Sequence, residues 1–426
     1  MKIALNIFLV LTLTLSNSLI AQQKQCDATI AEINRLVAES DLDQAYAKFS
    51  ALDKKCIATE DLFYHNMQRV LISKTIGAAN EEEKQNILNQ LLDLYTTHDY
   101  ILPKNKSSNK VRKAMALQAN RPEDQDKIYK LLDEAFAKDR ANFVDPEGLV
   151  LYYNLFFKKL TAEKKDVDYS ALINKRDEVL AQLEVVKNLA SVDRPYNLAI
   201  RSVRKLTESV LNCDRIATHY NSIFETRKSD VIWLSTTATS LLDAKCTTDS
   251  IFKKVAMAWY DVKVDARSAG NLAVAELRSG NHDRAIALYE EAANLASKPE
   301  EKATYYYTLA RQLMAIDKLK VIEFTKKAVL ADPTMGKAYL IMADAYAGIK
   351  DCGSSEFEKK LVYYLAAEAS AKAGIADPTY VKIAAKKSEQ YLKLAPSANE
   401  IKTSKMGGKS VLVGCGLNQK VSVPKS

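Results

Sequence analysis

Along most of the chain apolar residues recur at spacings of three and four, the interval that gathers side chains onto one stripe of an α-helix. Leu131, Leu132, Ala135 and Phe136 form one such stripe, and Ile173, Val179, Leu180, Leu183 and Val186 form another. Short polar stretches at 40–43, 121–124, 164–167 and 228–230 separate the stripes, each with an Asp or Ser placed to cap the next helix. A longer polar break at 97–109, around Pro103, predicts a kink between helical segments. The stretch Val381–Leu394 predicts a helix that shows Lys382, Lys386 and Lys387 to water and turns Ile383, Ala384 and Tyr391 inward, a cap for the last face of a helical stack. Beyond Pro396 the texture changes, and the valines and glycines of 410–423 predict one or two short strands.

Composition sharpens this picture. The 426 residues are 47% apolar and 27% charged, enough to bury proper cores. Only 12 glycines and 9 prolines occur, roughly a third of average usage, and just two of the glycines precede Gly270. That scarcity disfavours turn-rich β folds. It also leaves no glycine-rich phosphate loop of either common type, which excludes nucleotide enzymes built on them.

At the start of the chain Lys2, an apolar run over 3–15 and Ala21 before Gln22 predict a secretory signal cleaved after Ala21. The run is broken by Asn6, Thr12 and Thr14 and is shorter than the ~20 apolar residues of a spanning helix. Gln23, Lys24 and Gln25 before Cys26 are not the small apolar residues that lipidation needs, so the expected product is exported, periplasmic and not lipidated. The formal net charge is +8, and it gathers at one end: nine lysines from Lys382 onward face only Glu389 and Glu400. Such an end suits an anionic polymer, whereas an exported protein has little occasion to meet nucleic acid.

Self-similarity gives the organisation. The segment 268–292 resembles a tetratricopeptide repeat, with Leu272 and Ala273 at the contact of a first helix, Gly280 at the turn, and Ala285, Tyr289 and Ala292 along a second. Alanines let antiparallel helices approach, and the aromatic fills the space between hairpins. A second copy carries Leu309, Ala310 and Ala328 and ends at Asp332-Pro333. A third runs from Gly336 through Tyr339, Met342, Ala343 and Tyr346 to Asp377-Pro378, with an insertion that holds Cys352. The expected fold is all-α, a right-handed solenoid of helical hairpins with a capping helix and a short β-like tail. Its parts are the signal at 1–21, divergent hairpins at 22–262, the clearer repeats and cap at 263–396, and the basic tail at 397–426.

Hairpin symmetry also sorts the cysteines, because antiparallel helices bring together residues equidistant from their turn. Cys26 and Cys56 flank the 40–43 turn, and Cys213 and Cys246 flank the 228–230 turn. Cys352 is then left for Cys415. Three disulfides suit an exported chain.

No catalytic constellation is visible. His65, His98, His219 and His282 have no partner at metal-ligand spacing, and no nucleophile motif accompanies the pair His98-Asp99. No metal, cofactor or catalytic residue is expected, and the chain reads as a non-enzyme. Binding is the alternative: in the resembling repeats the first helices line a concave groove, whose positions here are Gly270, Val274 and Leu277, then Tyr307, Arg311 and Met314, then Leu340, Asp344 and Ala347. Tyr307, Arg311 and Asp344 carry recognition chemistry: a rigid aromatic, a fork of donors and a carboxylate. The Lys and Asn clamp of chaperone-binding members is not reproduced.

The whole chain resembles a group of exported tetratricopeptide-repeat proteins of the Bacteroidota, on its Ala21-Gln-Gln start with an early cysteine, the run 332–347 leading to Asp351-Cys-Gly353, and the closing 411–416. The resemblance implies a periplasmic scaffold that binds a protein or peptide in its groove, in assembly or maintenance of the cell envelope. The competing function is an anionic envelope polymer, lipopolysaccharide or cell wall, held at the basic end. The same resemblance makes Asp249-Ser250-Ile251 a candidate O-glycosylation site at Ser250.

Overall fold

The computed structural model describes residues 23–425 apart from 54–55, 57, 104–105 and 163–166. The signal at 1–21, with its cleavage point after Ala21, and residues 164–166 of the expected turn lie outside them. The chain divides into two compact units, Met1–Leu211 and Asn212–Ser426. The repeat signature at 263 thus begins inside the second unit.

The first unit is a succession of antiparallel helices: α1 (23–38), α2 (Leu42–Ser50), α3 (Asp61–Ile76), α4 (Glu81–Ile101), α5 (Lys106–Asn120), α6 (Gln125–Lys138), α7 (Pro146–Thr161), α8 (Tyr169–Leu189) and α9 (Arg194–Thr207). Asp41, in one of the stretches expected to cap, accepts a hydrogen bond from the backbone N–H of Gln44, whereas Asp124 in the 121–124 stretch makes no side-chain cap; Asn80, Asp145 and Asp168 cap α4, α7 and α8 as Asp41 caps α2. The break expected at 97–109 is narrower, since α4 continues to Ile101 and α5 resumes at Lys106. The core near the start of the unit gathers Ile33, Phe63, Tyr64, Met67, Leu71, Ile87 and Leu91. Phe136, Phe143, Tyr152 and Tyr153 are fully buried further along the unit.

The second unit continues with α10 (Cys213–Arg227), α11 (Val231–Asp243) and α12 (Ser250–Val262), then the hairpin α13 (Ala266–Arg278) with α14 (His282–Leu295), and the hairpin α15 (Pro299–Leu313) with α16 (Lys318–Ala331). In the third copy α17 (Gly336–Ala347) pairs with α19 (Val362–Ala376) across an insertion that forms the short α18 (Glu356–Lys360). The repeat positions are where helices meet: Ala273, Ala285, Ala292, Ala310, Ala328 and Ala343 are all fully buried, and Tyr289 is 1% exposed. The two Asp-Pro endings have one mechanism. Asp332 accepts from the backbone N–H and hydroxyl of Thr334 at 2.9 and 2.6 Å, and Asp377 does the same with Thr379 at 2.9 and 2.7 Å. Each carboxylate closes an Asx turn just where proline forbids another helical turn.

The helix α20 (Val381–Leu394) packs on α19, but its inward face differs from expectation. Ala384 is buried against Gly374, where the two helices approach so closely that a Cβ on Gly374 would stand 3.2 Å from the Ala384 Cβ. That contact sets the rotation of α20, and since consecutive residues point about 100° apart, Ile383 is carried outward and is 52% exposed. Lys387 is turned inward instead of toward water. The tail adds a helix that the sequence reading did not foresee, α21 (Ala398–Ser404), before the strands β1 (Ser410–Val413) and β2 (Gln419–Ser422). The strands pair antiparallel, Val411 opposite Val421, and bury Val413 and Val421.

Three disulfides join Cys26 to Cys56, Cys213 to Cys246 and Cys352 to Cys415, with Cα separations of 5.5, 5.3 and 5.1 Å. The third closes a loop of 63 residues, for which chain entropy gives a contribution of about 4 kcal/mol. It holds the β-hairpin turn against the insertion, with Gly414 so near that a Cβ would lie 2.8 Å from the Cys352 carbonyl oxygen.

Gly336 opens α17 in similarly tight surroundings: an added Cβ would meet the Ala373 carbonyl at 2.8 Å and Tyr380 at 2.9 Å. Gly336→Ala should therefore lower stability by about 1–3 kcal/mol in urea unfolding followed by circular dichroism. An unchanged midpoint would show that α17 and α19 can spread there at no cost.

Candidate functional site

The first helices of successive hairpins, α13, α15 and α17, carry the expected recognition residues. Tyr307 is half-buried on α15, and the Lys337 ammonium of α17 stands 4.7 Å from its ring centroid, a cation–π distance. Arg311 lies one turn beyond Tyr307 and is exposed. Lys337, Leu340 and Asp344 follow at i, i+3 and i+7, so they share a face of α17. The structure thus joins the α15 and α17 faces through Tyr307 and Lys337.

Two expected positions are closed. A Cβ on Gly270 would lie 2.6 Å from the Tyr305 ring, so the aromatic of the next hairpin already fills that place. Asp344 is engaged by α20: the Lys387 ammonium and the Tyr391 hydroxyl both donate to its Oδ1. Burial first, and then this hydrogen bond, push the Tyr391 hydroxyl well above the usual tyrosine range. Val274, Leu277, Met314, Leu340 and Ala347 remain half-buried. Sequence reasoning missed Lys337, and it turned Tyr391 inward on the capping helix without pairing it with Asp344. Lys337 was discoverable, since it sits seven residues before Asp344 on the same helical face.

The histidines of the first unit do not form the pair that adjacency suggested. His98 is 2% exposed, and its carboxylate partner is Asp61, whose Oδ1 lies 2.7 Å from Nε2. On the other side the Asn109 amide nitrogen approaches Nδ1 at 3.1 Å and also donates to Asp99 at 2.9 Å. The Arg112 guanidinium donates to the Asn109 oxygen at 3.0 Å, which fixes the orientation of that amide. Nδ1 therefore accepts, and Nε2 carries the proton. With both nitrogens occupied and the ring stacked on Tyr64 at 4.4 Å, the imidazole has no free position from which to act as a base. Desolvation is the largest single influence on Asp61 and pushes its carboxyl up, but His98 and His65 together hold it below the ordinary range.

Ser250 is exposed as the first residue of α12, next to the capping Asp249. Among the described residues no group of three or more His, Cys, Asp or Glu could hold a metal ion, and no helix is long and apolar enough to cross a membrane.

No family model matches the chain, and no curated protein does. Among solved structures it is similar to the Cut9–Hcn1 heterotetramer of the APC/C, at 11% identity and a TM-score of 0.34 over 85% of this chain and 63% of that one. It is also similar to the P58(IPK) TPR domain, at 14% identity and a TM-score of 0.25 over 87% and 98% of the two chains. Yeast Tom70 is a third, at 11% and 0.27 over 90% and 99%.

Removing the Asp344 carboxylate leaves Lys387 and Tyr391 without their acceptor. Asp344→Ala should cost about 1–3 kcal/mol of stability, whereas Arg311→Ala, at an exposed position, should stay within about 0.5 kcal/mol of the parent. Equal effects in a denaturant titration would contradict this placement. For Asp61 the sign follows from its lowered value: the contribution is present above the unfolded carboxylate value and is lost as pH falls through the folded one. The thermal midpoint of Asp61→Asn should accordingly fall less than that of the parent as pH drops below about 4.

Proposed function

We propose that this chain is a non-enzymatic scaffold of tetratricopeptide type that binds a protein partner through the joined face of α15 and α17, in the periplasm, serving the cell envelope. One observation carries the reading: Tyr307 and Arg311 lie together on a helical face, Lys337 stands against the Tyr307 ring, and Arg311 is exposed. An aromatic and a guanidinium side by side are the residue types that dominate protein interfaces. Three disulfides support export, since such bonds persist in oxidising compartments. Asp344 leaves the recognition set and becomes the anchor of α20. Ser250, exposed on α12, is a glycosylation acceptor in this reading.

A second reading is favoured by the tail. Lys402, Lys405, Lys409, Lys420 and Lys425 are all exposed, and no carboxylate pairs with them among the described residues. Five such cations suit an anionic envelope polymer.

Photo-crosslinking in cells from positions 307 and 311, with position 402 for the tail, separates the two. Protein adducts from 307 and 311 that persist in high salt support the scaffold. Polymeric, salt-sensitive adducts from 402 alone would replace it with the tail reading.

A further inference from the structure

The strongest unassigned feature lies along α16, the second helix of its hairpin and thus not part of the α15 and α17 face. One cavity of about 500 Å³ opens between α16, at Leu319 and Lys326, and the β-hairpin turn at Gly416 and Leu417. A second, of about 560 Å³, opens between α16 and the start of α15 at Lys298, Lys302 and Tyr306. Leu330 and Lys327 line both, so the cavities adjoin. Leu330 is 84% exposed and Leu319 is 46% exposed, apolar surface that packing within the unit leaves uncovered.

The charge around this apolar strip has one sign. Lys298 and Lys302 flank the second cavity, and Lys320 and Lys326 flank the first. None of the four meets a carboxylate among the described residues. The one acid lining either cavity, Glu323, is taken by Lys327, 2.9 Å away, which also bonds Glu290 at 2.7 Å. Four free ammonium groups around exposed leucine select a ligand that brings both negative charge and bulky apolar groups.

Shape narrows the class further. A flat membrane surface meets protruding residues, whereas here Ile322 and Tyr306 line concavities. The 14 residues of α16 run about 21 Å, which an extended segment of about six residues would cover. The outer wall of the first cavity is Gly416-Leu417, directly after Cys415, so the Cys352–Cys415 disulfide holds that wall in place.

We propose that the two cavities along α16 form a docking strip for an extended acidic peptide segment of a partner protein, with a bulky apolar side chain entering each cavity and its carboxylates meeting Lys298, Lys302, Lys320 and Lys326. The disulfide-held hairpin turn is a wall of this site. The inference does not depend on the α15 and α17 face being a binding surface.

The test uses the oxidised full chain and a fluorescein-labelled peptide of alternating Glu and Leu pairs, read by anisotropy. The expected result is saturable binding that weakens about tenfold or more with Leu330→Asp and with Lys326→Glu, weakens as salt rises, and is unchanged by Tyr307→Ala. Cys415→Ser should weaken it as well. Both α16 substitutions fall at exposed positions, and unchanged helical circular dichroism confirms that the variants fold. Absence of saturable binding overturns the proposal, as does equal binding of a peptide with Ser in place of every Leu. Loss of binding on Tyr307→Ala moves the peptide to the other face and overturns it too. Complete competition by vesicles of anionic phospholipid would make the strip a lipid site instead.

Discussion

Close approach of helices at small side chains is the constraint on which the second unit depends. Ala273, Ala285, Ala292, Ala310, Ala328 and Ala343 are fully buried and offer only a methyl group at the repeat's contact positions. At Gly336 even a methyl would be too much, and at Gly374 a methyl would press to 3.1 Å from the Val381 Cα. Such residues bring little apolar area each, but they let helices approach, and the larger Leu272, Tyr289, Leu309 and Tyr346 are buried beside them in the same repeats. The rotation of every helix about its own axis is then dictated by where its small residue falls. Which side chains are left on the open faces follows from that rotation.

The case of α20 shows how strict this is. The Ala384–Gly374 contact turns Ile383 outward and Lys387 inward, against what hydrophobicity alone would choose. An inward lysine is tolerated because Asp344 is in reach, and Tyr391 donates to the same carboxylate oxygen. One close contact between two helices thus decides the fate of a carboxylate on a third. Burial of the charged pair is partial, so its value lies in holding α20 in register more than in net stabilisation.

These particulars explain what was legible in the sequence. The repeat register was, because alanine spacing and the two Asp-Pro-Thr endings are local and recur with the same mechanism in both copies. Two of the cysteine pairs followed from hairpin symmetry for the same reason, since the antiparallel course of two helices is fixed by the turn between them, and the third, Cys352 with Cys415, followed by exclusion. The strands were readable from the density of valines and glycines over 410–423. Rotation of a helix by one residue was not, since it depends on the partner helix. The partner of His98 was not readable either, since Asp61 is 37 residues away and adjacency pointed to Asp99.

The candidate surfaces divide along the same line. Tyr307 and Arg311 could be chosen because the repeats that this segment resembles carry their groove-facing residues at those positions of the first helix. The cavities of α16 could not, because their walls come from three places: the start of α15, α16 itself and a hairpin turn nearly ninety residues further on, held by Cys415. The second cavity is built within the regular hairpins, from the connection before α15, α15 itself and α16. The first needs the addition after the last repeat, which is folded back, cross-linked to the insertion at Cys352, and closes that cavity with Gly416 and Leu417. An insertion and a tail that look like departures from the repeat pattern therefore extend the concave surface along α16 beyond what its regular hairpins form.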